Sequence, residues 1–311
     1  MSEQTRLMAA PTSSLTEVMH DRAWNPSELR RRLRERVRRP LLRDDGRLFI
    51  VAADHPARGA LGVGDDPVAM ADRHDLLDRL AVALTRPGVD GVLGTPDIID
   101  DLAHRGLLDD RIVVGSMNRG GLRGAVFELD DRFTAYDVDT LVADGLDFAK
   151  VLLRVDRDDA GSVRTLEKVG QIVTHAADRG LPIMVEPFLS HREGIRVVND
   201  LDTDSVIESV AIAQGLGASS AYTWLKLPVV PDMRRVMSAT TLPTLLLGGD
   251  VLGDPAQTFA DWESALALPG VRGLTAGRTL LYPPDDDVEN AVDMAARLVH
   301  PSLQTSNEGA L

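Results

Sequence analysis

Lysine is rare in this chain, and two of its lysines lie where a charged group is costly. Of the 34 basic residues only Lys150, Lys168 and Lys226 are lysines, and all the others are arginines. Lys150 and Lys226 lie inside the apolar runs 148–153 and 222–228, where burial of an ammonium group is unfavourable. A desolvated lysine beside another cation loses its proton more easily and becomes a nucleophilic amine that can form a Schiff base, whereas a guanidinium keeps its charge. The alternative is that both side chains reach from strand ends into solvent.

Two carboxylates occupy positions suited to proton transfer near these lysines. Glu186 lies in the apolar run 182–188, which falls between the two lysine runs along the chain, and Asp54 ends the first apolar run. Either carboxylate could take the proton of a substrate hydroxyl as a carbon–carbon bond breaks. The alternative for Glu186 is a purely structural role, in which it neutralises one of the lysines.

Short apolar runs alternate with amphipathic stretches from residue 47 onward, and this pattern predicts the fold. Strand-like runs occupy 48–54, 91–95, 111–116, 148–155, 182–188, 221–229, 244–250 and 271–276, and helical patterns occupy 67–84, 160–179, 202–216, 255–268 and 288–298. Strands that alternate with helices form parallel sheets, and eight such units close a barrel. An open doubly wound sheet is the main alternative, but no glycine-rich fingerprint follows the first run. We therefore predict an α/β protein with a single (β/α)8 TIM barrel.

A barrel of this kind would bring the reactive side chains together. Active sites of such barrels lie at the C-terminal ends of the strands, and inward side chains of alternate strands share layers. Lys150 falls on the fourth predicted strand and Lys226 on the sixth, so the two amines would each favour the neutral form of the other. Glu186 falls on the fifth strand, between them.

The ends of the last two predicted strands are typical of a phosphate site. Gly248 and Gly249 end the seventh run, and Gly277 and Arg278 follow the eighth. Loops at these positions bind phosphate in many barrels; glycine permits close approach of the backbone, and arginine adds a bidentate contact.

Four further polar residues are predicted to contact the substrate. Arg58 and Arg154 could orient a second anionic group, such as a carboxylate or another phosphate. Ser116 and Asn118 follow the third strand and are candidates for contacts with hydroxyl groups, although capping of the loop explains them equally well.

The domain organisation follows from the same patterns. Residues 1–46 are predicted to form an N-terminal extension, 47–300 the barrel and 301–311 a flexible tail. Within the extension, 1–24 is expected to be partly disordered, and a helix is expected to begin at Asn25-Pro26-Ser27-Glu28, with Asn25 as its N-cap. The seven arginines of 29–39 could contact phosphates, but a solvated helix packed beneath a domain explains them better. Residues 117–145 form a long connection and are a candidate lid.

Composition argues against several classes of partner. The net charge of −14 argues against nucleic-acid and anionic-membrane binding. With no cysteine in the chain, thiolate metal sites and cysteine nucleophiles are excluded. An apolar run of about 18 residues, which a membrane span needs, is absent, and the N-terminus lacks the apolar core of a signal peptide. We expect a cytoplasmic protein whose partner is a small molecule.

With these residues identified, the stretch from about Leu48 to Leu281 resembles the class I aldolases of the deoxyribose-phosphate and tagatose-bisphosphate aldolase superfamily, and the tagatose-bisphosphate type most closely. Asp54 followed by Arg58-Gly59-Ala60-Leu61 resembles their strand-one element, and Lys150-Val151-Leu152-Leu153 is similar to their strand-four lysine motif. Glu186 matches their acid/base glutamate, Lys226 matches their Schiff-base lysine, and Gly248-Gly249 and Gly277-Arg278 match their phosphate-binding strand ends. Two features depart from the family: His55-Pro56-Ala57 is inserted before the arginine, and Leu227-Pro228 follow the lysine where deoxyribose-phosphate aldolases have small hydroxyl residues and glycine.

The resemblance implies a class I aldolase that cleaves a phosphorylated ketose or keto acid through a lysine Schiff base, with no cofactor and no metal. The arginine-rich composition is similar to a subgroup associated with inositol catabolism, which implies cleavage of 2-deoxy-5-keto-6-phosphogluconate to dihydroxyacetone phosphate and malonate semialdehyde. Tagatose or fructose bisphosphate, sulfofructose phosphate and deoxyribose phosphate are alternative substrates. Barrels of this family often assemble as dimers or larger rings, so the resemblance is compatible with a homo-oligomer.

Three other functions fit parts of the pattern. A metal-dependent lyase would need ligands from His175, His191, Glu186 or Glu193, but His175 falls in the middle of a predicted helix, so no compact set of ligands emerges. A non-catalytic sugar-phosphate-binding barrel would keep the phosphate site alone. An imine-forming isomerase or a thiolase-like enzyme could use the same pair of lysines.

Overall fold

In the part of the chain that the structure describes, nine strands form the sheet, and eight of them close a barrel. A computed structural model describes residues 11–249 and 254–302. The strands are β1 (Leu48–Ala52), β2 (Gly91–Gly94), β3 (Ile112–Ser116), β4 (Phe148–Val155), β5 (Ile183–Glu193), β6 (Arg196–Asn199), β7 (Thr223–Leu227), β8 (Thr244–Leu247) and β9 (Val271–Ala276). Parallel pairing runs in the order β4-β3-β2-β1-β9-β8-β7-β5, and the pairing of β4 with β5 completes the circle.

Helices surround the barrel on its outer face. They are α1 (Leu15–Trp24), α2 (Ser27–Glu35), α3 (Arg73–Thr85), α4 (Pro96–His104), α5 (Val138–Ala143), α6 (Gly161–Asp178), α7 (Thr203–Gln214), α8 (Met233–Ser238), α9 (Pro255–Leu266), α10 (Arg278–Leu281) and α11 (Val288–Val299). The predicted single (β/α)8 TIM barrel is confirmed, and each of the eight predicted runs contributes a barrel strand. The end of the seventh run at Asp250 and the predicted tail from residue 303 onward lie outside the described residues.

Two apolar layers follow from the alternation of side chains along the strands. The larger cluster packs the outer strand faces against the helices. A smaller cluster fills the barrel interior and includes Phe148, Met184 and Trp224. The rings of Phe148 and Trp224 meet edge to face, with their centroids 5.4 Å apart. The inward-facing polar side chains lie directly above this interior layer, which forms the apolar floor of the barrel.

The arginine-rich segment closes the end of the barrel opposite the carboxyl ends of the strands. Arg36 and Arg38 pair with Asp147, which precedes β4, and Arg39 pairs with Asp90, which precedes β2. The same two carboxylates accept backbone N–H groups of β3 and β1. The arginines therefore bind strand-start carboxylates, consistent with the expected packing beneath a domain.

The extension is more ordered than predicted. Residues 15–24 form α1, because Ser14 and Glu17 make a reciprocal capping box that satisfies the first free N–H groups of the helix. In α2 the N-cap is Pro26 rather than Asn25, and the helix begins at Ser27. Residues 1–10 of the region predicted to be partly disordered lie outside the described residues.

The strand prediction ended β5 too early. β5 continues to Glu193 and pairs with β6 as an antiparallel hairpin, in which Glu193 lies opposite Arg196. Gly194 has a φ of +64° in the two-residue turn, a conformation that glycine adopts without strain. In the part of the chain that the structure describes, no helix combines the length and apolar character needed to cross a bilayer.

Candidate active site

Because side chains alternate along the strands, a layer of charged side chains lies directly above the apolar layer in the barrel interior. Lys150 follows Phe148 on the inner face of β4, and Lys226 follows Trp224 on β7. Glu186 follows Met184 on β5, and β5 pairs with both β4 and β7. All three polar side chains therefore point to the barrel axis one step closer to the carboxyl ends of the strands.

Glu186 bridges the two lysines. Its Oε1 lies 2.9 Å from Nζ of Lys226, and its Oε2 lies 2.5 Å from Nζ of Lys150. Both lysines are almost fully buried, with relative exposures of 2% for Lys150 and 4% for Lys226. The structure thus brings the two lysines to one carboxylate on the same side of the barrel wall, as their strand positions predict.

Asp54 joins this centre from the end of β1. Its Oδ2 lies 3.2 Å from Nζ of Lys150 and 3.1 Å from Nη1 of Arg119. The hydroxyl of Ser116 donates to the same oxygen over 2.9 Å. Lys150 therefore contacts two carboxylates, whereas the ion pair of Lys226 within the described residues is with Glu186 alone.

The charges of the centre keep its carboxylates ionised. Burial by itself raises the pKa of Glu186, but the charges of Lys150 and Lys226 outweigh it and hold that pKa well below its ordinary value. Burial likewise opposes ionisation of Asp54, and Lys150 and Arg119 outweigh it, so its pKa is also well below the usual range. For Lys150 the balance is the opposite: burial lowers its pKa, and the charges of Asp54 and Glu186 oppose that effect only in part.

A cavity of about 790 Å³ opens above this centre. It is strongly basic although the whole chain carries a net charge of −14. Eight lysines and arginines of the described residues line it, against four carboxylates: Arg58, Arg119, Arg123, Lys150, Arg154, Arg196, Lys226 and Arg278, against Asp54, Glu128, Glu186 and Asp261. Such a cavity favours a ligand that carries more than one negative charge.

Arg58 and Arg154 lie together in this cavity. Oε1 of Glu128 lies 2.5 Å from Nη1 of Arg154 and 3.2 Å from Nη2 of Arg58. Burial lowers the pKa of Arg58 to about 10, which still leaves it charged at neutral pH. Two guanidinium groups that share one carboxylate leave a positive charge facing the cavity.

The predicted phosphate-binding residues lie on another part of the cavity wall. Gly248, Gly249, Gly277 and Arg278 all line it. A Cβ atom added to Gly277 would lie 2.2 Å from the carbonyl oxygen of Ala52, and one added to Gly248 would lie 2.8 Å from Cβ of Ala276. Glycine is therefore required at both positions, because Gly277 passes close to the end of β1 and Gly248 passes close to the end of β9.

Ser116 and Asn118 have structural contacts instead of lining the cavity. Ser116 donates to Asp54, as described. The side-chain amide of Asn118 donates to the carbonyl of Leu152 and accepts its N–H over 2.8 Å, so it extends the pairing beside β4. The expected contact of these two residues with substrate hydroxyls gains no support from their positions.

Several cavity residues were not predicted from the sequence. Arg119, Arg123 and Glu128 come from the loop between β3 and α5, and Arg196 comes from the hairpin. The hairpin had a sequence signal in Gly194, because glycine favours a tight turn, whereas the loop has no periodicity that predicts its conformation. Within residues 11–249 and 254–302, no three His, Asp or Glu side chains form a group that could hold a metal ion.

Fold and site together define a (β/α)8 barrel with a lysine–carboxylate centre at the carboxyl ends of its strands. The chain belongs to the Cgl0159-like family, whose model matches residues 46–296. It is 62% identical to Cgl0159 from Corynebacterium glutamicum, whose crystal structure superposes with a TM-score of 0.91 over 94% of this chain and 99% of that one. No curated protein matches the chain.

More distant solved structures share the fold. A Schiff-base-forming fructose-1,6-bisphosphate aldolase is 21% identical, with a TM-score of 0.62 over 88% of this chain and 100% of that chain. An archaeal fructose 1,6-bisphosphate aldolase is 19% identical, with a TM-score of 0.61 over 88% of this chain and 99% of that chain. Both structures therefore share the (β/α)8 barrel fold of this chain.

Proposed function

We propose that this protein is a class I aldolase, which cleaves a phosphorylated ketose or keto acid through a Schiff base on Lys226. The observation that carries the proposal is the pair of buried lysines bridged by Glu186 on the floor of a basic cavity. A purely structural ion pair would need only one lysine. A second amine at this position instead suits chemistry in which one amine becomes neutral.

Lys226 is the better candidate for the nucleophile. Lys150 contacts Asp54 as well as Glu186, whereas Lys226 contacts Glu186 alone among the carboxylates of the described residues. Fewer contacts must break before Nζ of Lys226 reaches a carbonyl carbon. The archaeal fructose-1,6-bisphosphate aldolase solved with its catalytic lysine covalently bound to the carbinolamine has the same fold, at 19% identity.

The reaction then follows from the contacts of Glu186. Lys226 transfers a proton to Glu186 and attacks the ketone, and an amine proton moves to the alkoxide to give the carbinolamine. Glu186 then returns its proton to the carbinolamine hydroxyl, which leaves as water and gives an iminium ion, so Glu186 is a carboxylate again. Glu186 or Asp54 accepts the proton of the hydroxyl beyond the breaking bond, and the bonding electrons move into the iminium to form an enamine. Lys150 stays beside both carboxylates and balances their charge during these transfers.

The substrate carries a phosphate and a second anionic group in this proposal. Gly248, Gly249, Gly277 and Arg278 bind the phosphate, and the Arg58–Arg154 pair binds the second group. We propose 2-deoxy-5-keto-6-phosphogluconate as the substrate, with dihydroxyacetone phosphate and malonate semialdehyde as products. Tagatose or fructose bisphosphate and sulfofructose phosphate also carry two anionic groups, whereas deoxyribose phosphate carries one and fits the basic cavity less well. Assembly as a homo-oligomer remains a prediction.

Borohydride trapping tests the chemistry. The protein is incubated with dihydroxyacetone phosphate and reduced, and the modified peptide is identified by mass spectrometry. We expect a stable adduct on Lys226, no adduct in Lys226→Met and an unchanged adduct in Lys168→Met, since Lys168 is exposed on α6 and serves as the matched control.

Two results would reject the aldolase proposal. An adduct on Lys168 would show non-specific reduction. Binding of sugar phosphates without any adduct or cleavage would instead identify a non-catalytic sugar-phosphate-binding barrel. If the adduct forms on Lys226, a screen of phosphorylated ketoses and keto acids for release of triose phosphate identifies the substrate.

A further inference from the structure

A histidine projects into this cavity that the proposed mechanism does not use. His55 belongs to the insertion His55-Pro56-Ala57 and lines the cavity. It directly precedes the 3-10 turn Pro56–Arg58. The fixed φ of proline in that turn limits the movement of the backbone beside the ring.

The imidazole faces the oxygen of Asp54 that no lysine or arginine of the described residues contacts. Lys150, Arg119 and Ser116 all contact Oδ2 of Asp54. Nδ1 of His55 lies 3.8 Å from the other oxygen, Oδ1. A shift of less than about 1 Å would bring these two atoms to hydrogen-bond distance.

The two nitrogens of the ring differ in their surroundings. Nδ1 is buried and has no hydrogen-bond partner among the residues that the structure describes. The side chain nevertheless keeps 26% of its surface exposed. The exposed part is therefore the opposite edge of the ring, which carries Nε2 and faces the cavity.

The ring is neutral at physiological pH. Burial, together with the positive charges of Arg278 and Lys226, lowers the pKa of His55 to about 3, against the opposing effect of Asp54. A neutral imidazole has one N–H and one lone pair. Because a carboxylate can only accept, Asp54 favours the tautomer with hydrogen on Nδ1, which leaves the lone pair of Nε2 facing the cavity.

We propose that His55 is a specificity-determining residue whose Nε2 accepts a hydrogen bond from a hydroxyl on the carbon next to the imine carbon, with Asp54 orienting the ring. This inference rests on the proposed Schiff-base function and adds a substrate class to it. The site would select ketone phosphates that carry this hydroxyl. His55, Lys226 and Arg278 line the same cavity, so the ring lies on the wall along a ligand that spans the lysine and the phosphate loops.

Two phosphorylated ketones that differ by this hydroxyl provide the test. Dihydroxyacetone phosphate has it and hydroxyacetone phosphate lacks it, while both have the ketone and the phosphate. The trapped fraction is measured against ligand concentration after borohydride reduction, and binding is measured separately by calorimetry. One neutral hydrogen bond predicts that the wild-type protein prefers dihydroxyacetone phosphate by about tenfold.

Matched variants of His55 show which ring nitrogen accepts the hydrogen bond from the ligand. His55→Gln places an amide near the position of Nε2 and should keep most of the preference. His55→Asn places its amide near Nδ1, and His55→Phe keeps the ring without either nitrogen. Both should lower the preference to about twofold or less while still trapping hydroxyacetone phosphate as the wild type does.

Each outcome is distinct from failure of the aldolase proposal. Absence of an adduct from the wild-type protein with either ketone rejects the Schiff base, and calorimetry then still reports whether His55 sets the preference. Equal binding of the two ketones by the wild-type protein overturns the role of His55, whether or not adducts form. A parallel loss of both ligands in His55→Phe and His55→Gln, with unchanged thermal unfolding, would also overturn it, because it would show a structural role only.

Discussion

Replacement of Glu186 by glutamine should destabilise the protein by an amount that depends on pH. The carboxylate lies 2.5 Å from Nζ of Lys150 and 2.9 Å from Nζ of Lys226, and all three groups are buried. At an effective dielectric constant of about 20, each contact corresponds to about 6 kcal/mol of Coulomb energy before desolvation is subtracted. Loss of one partner from a buried ion pair costs about 3–5 kcal/mol. Because two ammonium groups are left beside each other, we expect the free energy of unfolding to fall by about 4–5 kcal/mol.

The pH dependence follows from the directions of the shifts. The folded-state pKa of Glu186 is lowered, so its contribution to stability is present above the unfolded value of about 4.3 and is complete at neutral pH. In Glu186→Gln the cost arises from two neighbouring ammonium groups, of which only Lys150 keeps a carboxylate partner, Asp54. Burial already lowers the pKa of Lys150, so this lysine becomes neutral as the pH rises and the cost shrinks. The variant should therefore lose more stability at pH 6.5 than at pH 9.5.

Thermal unfolding followed by circular dichroism measures the effect. At roughly 2 °C per kcal/mol for a chain of this size, Tm should fall by roughly 8–10 °C at pH 6.5. Glu193→Gln, on the same strand but exposed, is the matched control and should change Tm little. The reasoning is refuted if the two variants lose equal stability, or if the deficit of Glu186→Gln grows as the pH rises.

Three further predictions concern other parts of the molecule. In Lys150→Met the adduct on Lys226 should persist at lower yield with a shifted pH profile, measured by borohydride trapping across pH; complete loss would contradict the supporting role of Lys150. Gly277→Ala should lower the free energy of unfolding by at least about 2 kcal/mol, because the new Cβ would lie 2.2 Å from the carbonyl oxygen of Ala52. Thermal shift measured with and without inorganic phosphate should also show that this variant binds phosphate more weakly. Although burial opposes it, Asp90 raises the pKa of His300 above 6.5, so the stability from this contact is present below that pH and is lost as the pH rises through the folded value. The Tm of His300→Gln should therefore fall further below that of the wild type at pH 5.5 than at pH 9, and a uniform loss would argue against the charge on His300.

The barrel and the residues of its charged centre could be predicted from the sequence because both depend on local periodicity. Apolar runs that alternate with amphipathic helices are sufficient to predict parallel βαβ units. Within each strand the period of two then determines that Lys150, Glu186 and Lys226 all point inward. Their meeting around one carboxylate depends on the register of the pairing, in which Lys150 lies opposite Met184, and the closed barrel determines that register.

The errors of prediction have specific physical origins. Helix α1 carries a readable capping box at Ser14 and Glu17, but the polar composition around it suggested disorder. The hairpin after β5 was missed because the apolar pattern that marked the strand stops at Leu189, while main-chain pairing with β6 continues to Glu193. Hydrogen bonding of the backbone does not require apolar side chains.

The sequence alone determined the class of fold, the strands that carry the lysines and the residue types that face the barrel axis, because these depend on propensities and periods within a few residues. Only the tertiary structure decided that Glu186 binds both lysines, that Arg58 and Arg154 share Glu128, and that His55 faces the open oxygen of Asp54. These contacts join residues far apart in the chain, through loops whose conformations depend on the closed barrel that supports them. Local sequence patterns carry no information about such distances, and therefore the electrostatics of the site emerge only with the fold.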